Sequence, residues 1–290
     1  MRIVTDSAAD LTAEDIAAHD LTVVPLYIQF PEGERRSEDV TPDDFYNRLE
    51  AMRPDVPTTG QPSPEDFAAL YRANQAVGQE TLSIHISSGL SGTAQTAGIG
   101  ASMVATEGTP GVHAIDSLTL SGGLRFQVLA AARAIRAGWP AADIVDQLDR
   151  VRTSTEVIFT LDTLEYLARG GRIGRVQALA GSVLNIKPLI NVSHADGKYN
   201  TVGRSRTINR ALTDIVAFLA ARYEMNEPLW VSIMHGRFDE PARKLSGLIE
   251  AALPVARMEV LRISPVLGVH TGPGVVGAAV VPMKYIDEIA

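Results

Sequence analysis

The sequence predicts an α/β protein of two domains. Residues 1–153 are expected to build a parallel sheet with helices on both faces. Residues 154–290 are expected to build a mixed α/β domain with antiparallel strands. Three observations carry this reading. At 290 residues the chain exceeds one ordinary core. Strand and helix signals alternate through its first half, as parallel sheets require. After residue 153 a hairpin signal, Asp196-Gly197, lies between two β-rich runs.

Taken in order, Ile3-Val4 opens the first strand and leads into Asp6-Ser7. Thr12, with Asp15 three residues on, reads as a capping box that starts a helix ending near His19. Leu21 to Phe30, rich in Val, Ile, Tyr and Phe, reads as one strand. Thr41-Pro42-Asp43-Asp44 and Ser63-Pro64-Glu65-Asp66 each combine a cap, a proline at the first helical position and first-turn acids. The helices they open turn Phe45, Leu49 and Met52, and Phe67, Leu70 and Tyr71, inward. Strands follow at Leu82–Ile86 and Val112–Ile115, then a long alanine-rich helix from about Thr119 to Ala137. The second half begins with a strand over Val157–Leu161, with helix signals through Leu167 and from Val176 to Leu184. Pro188–Val192 and Tyr199–Val202 flank the hairpin turn. Helices are expected at 207–223 and 241–252, and strands at 229–234, 258–263 and 275–281.

Composition narrows the function. Hydrophobic residues make up 46% and charged residues 21%, the globular range. A net charge of −8 argues against nucleic acid and against a membrane surface. With no cysteine, thiol catalysis, thiolate metal sites and disulfides are excluded. No apolar segment follows Arg2 as a signal peptide would demand, and the run Val275–Val281 is too short for a bilayer. A cytoplasmic protein without stable membrane insertion is expected.

Three polar, glycine-rich segments stand out: Thr58–Ser63, Ser87–Thr93 and Gly268–Gly274. Hydroxyls and an imidazole on such segments suit a small anionic or carbonyl head group, because glycine admits close approach and hydroxyls donate without adding charge. Ser91 follows the C-terminal end of an expected parallel strand, where open α/β sheets bind ligands. It also reads as a plain helix N-cap. Thr59 belongs either to a site or to the loop before the helix capped by Ser63. His270 is read as a site residue on a loop constrained by Gly272-Pro273-Gly274, against the commoner structural histidine. The remaining histidines show no metal spacing, so no metal or cofactor is expected. Gly272 to Gly277 matches G-x-G-x-x-G but leads into a strand, which rejects a dinucleotide site. Arg169, Arg172 and Arg175, and Arg204, Arg206 and Arg210, form either docking patches or solvated faces. The Asp-Ser pairs at 6–7 and 116–117 read as loop bracing.

With Thr5-Asp6-Ser7, Asp116-Ser117, Leu167–Ile173 and Leu184–Pro188, these segments fall in one order over residues 3–282, and the chain resembles the DegV family of bacterial fatty-acid-binding proteins. The resemblance implies a DegV-like two-domain fold and a long-chain fatty acid as ligand. Its carboxylate would lie among Thr59, Ser91 and His270 at the domain interface, its acyl chain in a tunnel inside the second domain. Gly60, Gly92 and Thr93 would support the site; Gly60 stands where the family usually has serine. Arg172 and Arg204 would contact a partner. That partner would be a separate ATP-dependent kinase making an acyl phosphate, so this chain would be a binding subunit and not an enzyme. Two alternatives remain open at this point: a substrate subunit resembling that of dihydroxyacetone kinase, and a Ser91/His270 hydrolase, which lacks a G-x-S-x-G elbow.

Overall fold

The computed structural model describes residues 1–179 and 186–289. Strands β1 (Arg2–Asp6), β2 (Thr22–Val24), β3 (Tyr27–Phe30), β4 (Gly33–Arg36), β5 (Thr58–Gly60), β6 (Thr81–His85) and β7 (Val112–Asp116) fall in the first half. β1, β2, β6 and β7 form a parallel sheet in the order β2-β1-β6-β7. Helices α1 (Ala13–His19), α2 (Pro42–Ala51), α3 (Pro64–Ala76), α4 (Thr93–Val104), α5 (Ser121–Arg136) and α6 (Ala141–Ser154) accompany them. Thr12 and Ser63 both form the capping boxes that their acids at N3 announce, and Thr41 caps α2. α3 and α4 cover one face of the sheet through Phe67, Tyr71, Ala97 and Val104, and α5 covers the other.

The expected strand from Leu21 to Phe30 is two strands in two sheets. Pro25 interrupts it: without an N–H it cannot extend the ladder with β1. The chain turns there, the Leu26 N–H donates to Ser7 Oγ at 3.0 Å, and β3 joins a separate antiparallel sheet in the order β4-β3-β5.

Beyond Ser154 the chain forms β8 (Glu156–Leu161), α7 (Glu165–Arg169), β9 (Lys187–Val192), β10 (Tyr199–Ser205), α8 (Ile208–Arg222), β11 (Leu229–His235), α9 (Asp239–Ala252), β12 (Val255–Arg262), α10 (Pro265–Thr271), β13 (Val275–Pro282) and α11 (Lys284–Asp287). Six strands make one mixed sheet, β10-β9-β8-β13-β11-β12, antiparallel except between β11 and β12. From Val176 the expected helix begins as a 3-10 turn over Gly174–Leu179, and the rest of it, with Leu184 and Asn185, lies outside the described residues.

The fold is layered. α8 and α9 cover the outer face of the six-stranded sheet through Leu212, Leu219, Leu245 and Ile249. α5 lies between the two large sheets, touching β1 and β6 on one side and β8, β11 and β13 on the other. Thirteen of its sixteen residues are buried, which explains its alanine and glycine content: small side chains let two sheets approach one helix. A continuous apolar core therefore crosses from Ile3 and Ile84 through Phe126 to Val157 and Val281. A buried arginine sits inside it. Arg125, 3% exposed, bonds Asp15 of α1 at 2.9 Å and Glu259 of β12 at 2.6 Å. Arg125→Ala leaves Asp15 without a cation, while Glu259 keeps Arg257 at 3.5 Å and Trp230 Nε1, and is expected to cost about 3 kcal/mol of stability. Urea unfolding measures this, and a loss below about 1 kcal/mol contradicts the assigned role.

Candidate functional site

The C-terminal ends of β1 and β6 are where this parallel sheet reverses its winding, since β2 lies to one side of β1 and β6 to the other. Ligands bind at such a point in open α/β sheets. Three segments converge there. β5 supplies Thr59, held by pairing with Ile28 of β3. The loop leaving β6 supplies Leu90 and Ser91 immediately before α4. α10 supplies His270 in its last turn. Thr59, Ser91 and His270 line one small cavity of about 40 Å³, although they are 32 and 179 residues apart along the chain.

His270 is on a helix and not on the loop anticipated for it. Ser264-Pro265 starts α10, and this pair repeats the cap-and-proline signal of Thr41-Pro42 and Ser63-Pro64. Ser264 makes no side-chain cap bond; its N–H instead donates to Asp10 at 2.7 Å. Thr59 Oγ1 and His270 Nε2 share a hydrogen bond of 2.9 Å. The other ring nitrogen, Nδ1, is buried without a hydrogen-bond partner among the described residues and faces Gly170. A Cβ at residue 170 would overlap that nitrogen, so this position of the Leu167–Ile173 motif requires glycine. Burial, followed by the nearby Arg172 charge, lowers the His270 pKa to about 4. The ring is thus neutral at pH 7.

Arg172 lines the same cavity. Its Nη1 donates to the Gly170 carbonyl at 2.7 Å and its Nε to the Leu90 carbonyl at 3.3 Å, which fixes the guanidinium beside the head-group residues. The family resemblance implies a partner contact for Arg172, and no local pattern marks its place in the cavity wall. Arg204, on β10, is exposed and apart from the cavity. Gly60 lines the cavity directly. Thr93 stands behind it, bonding Ser91 Oγ at 2.8 Å, and Gly92 packs against Gln61. Gly92, not Ser91, is the N-cap residue of α4, and it offers no side-chain bond to the first turn. Gln61, Leu267 and Tyr199 also line the cavity without having been singled out; Gln61 sits inside a quoted motif, whereas nothing local marks the other two.

Tyr199 and Leu267 also line a second cavity of about 30 Å³, whose walls are mainly apolar and include Ser121 and Thr271. Val157, Phe159, Met234 and Val275 form its floor on the six-stranded sheet. Leu120 and Ser121, at the start of α5, close it from above. This space lies between the halves and not inside the second, because α5 forms one wall. Each cavity holds only a few water-sized volumes, at about 10–15 Å³ per water in this measure, so a long ligand must displace side chains.

A profile of the DegV family, described as uncharacterised proteins, matches residues 1–283. The chain belongs to the DegV family. Two DegV domain-containing proteins of Deinococcus radiodurans are 37% and 34% identical to it, over 97% of this chain and 98% and 95% of theirs. Among solved structures, the fatty-acid-binding DegV family protein of Thermus thermophilus aligns with a TM-score of 0.89 at 33% identity, covering 97% of this chain and all of that one (100%). A stearic-acid-binding protein of Eubacterium ventriosum gives 0.89 at 28%, covering 98% and 99%. DegV of Bacillus subtilis, a fatty-acid-binding protein, gives 0.85 at 28%, covering 97% and 98%.

Other polar groups of this DegV chain are built differently. Ser83, His85 and Asp6 form a hydrogen-bonded chain, at 2.7 and 3.0 Å, that resembles a hydrolytic triad. All three are fully buried, and Tyr71 OH occupies Ser83. With no route to substrate, they brace the sheet: Asp6 also accepts the Ile86 and Ala8 N–H groups. Asp116 braces likewise, accepting from Ser88 and Leu118. A larger cleft of about 510 Å³ is lined by Asp10 and Glu38 and by one cation, Arg262, which Asp43 engages at 3.0 Å, so carboxylates outnumber cations there. Among the described residues no three His, Asp or Glu side chains cluster as metal ligands, and no helix is long and apolar enough to cross a membrane.

The neutral His270 has a pH consequence. An unfolded chain protonates this ring near pH 6.5, whereas the native one resists until about 4. Its contribution to stability is complete above 6.5 and is lost as pH falls toward 4, at up to about 1.4 kcal/mol per pH unit. Asp10, raised to about 6 by burial, acts with the opposite sign, so a variant comparison is needed. The stability advantage of wild type over His270→Asn is expected to narrow between pH 6.5 and 4, measured by urea unfolding. An advantage that widens on acidification contradicts the assignment.

Proposed function

We propose that this chain binds a long-chain fatty acid. The carboxylate lies among Thr59, Ser91, His270 and Arg172, and the acyl chain runs past Tyr199 and Leu267 into the apolar cavity. One observation carries the reading: hydroxyls, a neutral imidazole and one fixed guanidinium border a cavity that shares Tyr199 and Leu267 with a second cavity walled mainly by apolar side chains. A fatty acid has that distribution of chemistry. Burying a methylene contributes roughly 0.8 kcal/mol, so a long chain supplies on the order of 10 kcal/mol gross, enough to offset the cost of association. The fatty-acid-binding Thermus, Eubacterium and Bacillus relatives support the same ligand class.

We further propose that the chain presents the carboxylate to a separate ATP-dependent kinase, which makes the acyl phosphate, and is itself no catalyst. His270 Nδ1 has no acid partner and Ser91 Oγ is engaged with Thr93, which disfavours a hydrolase. The apolar second cavity disfavours a triose subunit resembling that of dihydroxyacetone kinase. Arg204, exposed and away from the cavity, suits partner contact. Arg172, fixed in the cavity wall, suits the head group better than the partner.

Fatty-acid titration tests the head-group assignment. Ser91→Ala, His270→Ala and Arg172→Ala are each expected to weaken binding about ten- to hundredfold, the worth of one hydrogen bond to a charged group. Pairs of these substitutions are expected to be less than additive, since they share one carboxylate. Wild-type affinity in all three places the site elsewhere.

With a cognate kinase and ATP, Arg204→Glu is expected to slow acyl-phosphate formation while fatty-acid affinity stays unchanged. Ester hydrolysis by the chain alone, abolished by Ser91→Ala, overturns the binding-subunit assignment.

A further inference from the structure

The apolar cavity has a far end, and its residues are distinctive. Gly277 of β13 pairs with Phe159 of β8 on one side and with Met234 of β11 on the other. Directly opposed residues of antiparallel strands point to the same face. Phe159 and Met234 therefore flank a position with no side chain. A Cβ at residue 277 would overlap the Ile158 carbonyl and Phe159 Cβ, so the gap is obligatory. Phe159 packs edge-on against Tyr199, at 5.3 Å between ring centroids, on the head-group side. Met234 stands across the gap, away from the head group and 4% exposed.

Beyond Met234 there is no room. A Cβ on Gly122 would come within 2.7 Å of Ala279 Cβ, 3.0 Å of Met234 Sδ and 3.2 Å of Ser232 Cβ, so α5 rests directly on the sheet there. Ser232 Oγ is bonded to Glu259, whose partner is Arg125. The acyl path thus meets a flexible thioether and, behind it, closed packing and a charged cluster.

Met234 is held weakly. Gly122 N–H, in the first turn of α5, has no intrahelical acceptor and donates to Met234 Sδ at 3.2 Å. Ser121 Oγ lies 2.9 Å from the same sulfur, but its single proton goes to Asp10. A thioether is a weak acceptor on an unbranched, adaptable side chain. Such a group closes a cavity and still yields to a ligand. The backbone around it is set by unusual conformations: Leu118 and Ser121 both adopt positive φ, 50° and 51°, as the chain enters α5.

We propose that Met234 is the movable end-stop of the acyl cavity and sets the length of chain that the protein accepts. This rests on the fatty-acid reading. The test uses delipidated protein and straight-chain saturated fatty acids of about 12 to about 20 carbons, each accommodated methylene improving affinity about fourfold. Met234→Ala removes three heavy atoms and is expected to move the best-bound chain about two to three carbons longer. Met234→Phe is expected to move it shorter. Met234→Leu conserves volume, is expected to keep the wild-type length profile, and controls for folding alongside a thermal melt. An unchanged profile in Met234→Ala and Met234→Phe, with binding retained, overturns the end-stop alone. If Met234→Ala does not fold, Met234→Phe decides by itself. Absence of binding by wild type at every length overturns the fatty-acid reading, and the end-stop with it.

Discussion

Everything about the candidate site follows from the burial of α5 between two sheets. A helix with sheet on both sides has no solvent face on which to rotate freely, so its register must be fixed from within. Arg125 does this by reaching α1 and β12 together. The consequence is geometric. The start of α5 is pinned over β11 and β13, and Leu120 and Ser121 become a wall of the apolar cavity. The two halves share one core, and the apolar cavity is a seam in that core.

The electrostatics at the near end of the seam are local exceptions in an acidic chain. Net charge is −8, yet the cavity presents hydroxyls, a neutral imidazole and one guanidinium. A protonated His270 beside Arg172 would place two cations in a poorly solvated space, and the depressed pKa avoids that. A bound carboxylate reverses the balance, because it faces one cation and several donors with no carboxylate among them. The larger acidic cleft offers the opposite field. Volume alone favours the larger cleft, and charge favours the smaller cavity.

Much of the fold was legible because its signals are local. Capping boxes at Thr12 and Ser63, the Asp196-Gly197 turn and the β-rich runs need only a few neighbouring residues. Pro25 was equally visible, but the loss of one donor splits a strand only if the flanking pieces find different sheets, which is tertiary information. α10 was missed although Ser264-Pro265 announces it, because the glycines after it dominated the reading. Thr59, Ser91 and His270 stand out through family motifs, and the fold brings them to one cavity. The role of Arg172 does not stand out, since the same Arg-Gly-Gly-Arg sequence serves a surface patch or a cavity wall depending on where the Leu90 and Gly170 carbonyls lie. Tyr199, Met234 and Gly277 become neighbours of the ligand path only through strand register, which no local pattern encodes.

The central claim is that the seam between α5 and the six-stranded sheet accommodates a fatty acid. Its most direct test is organic extraction and mass spectrometry of the protein purified from a bacterial host, with native mass spectrometry of the same sample. A single fatty acid per chain, displaced by added fatty acid and reduced by Arg172→Ala, is the expected result. Protein that carries no lipid and takes up none when it is supplied would contradict the account.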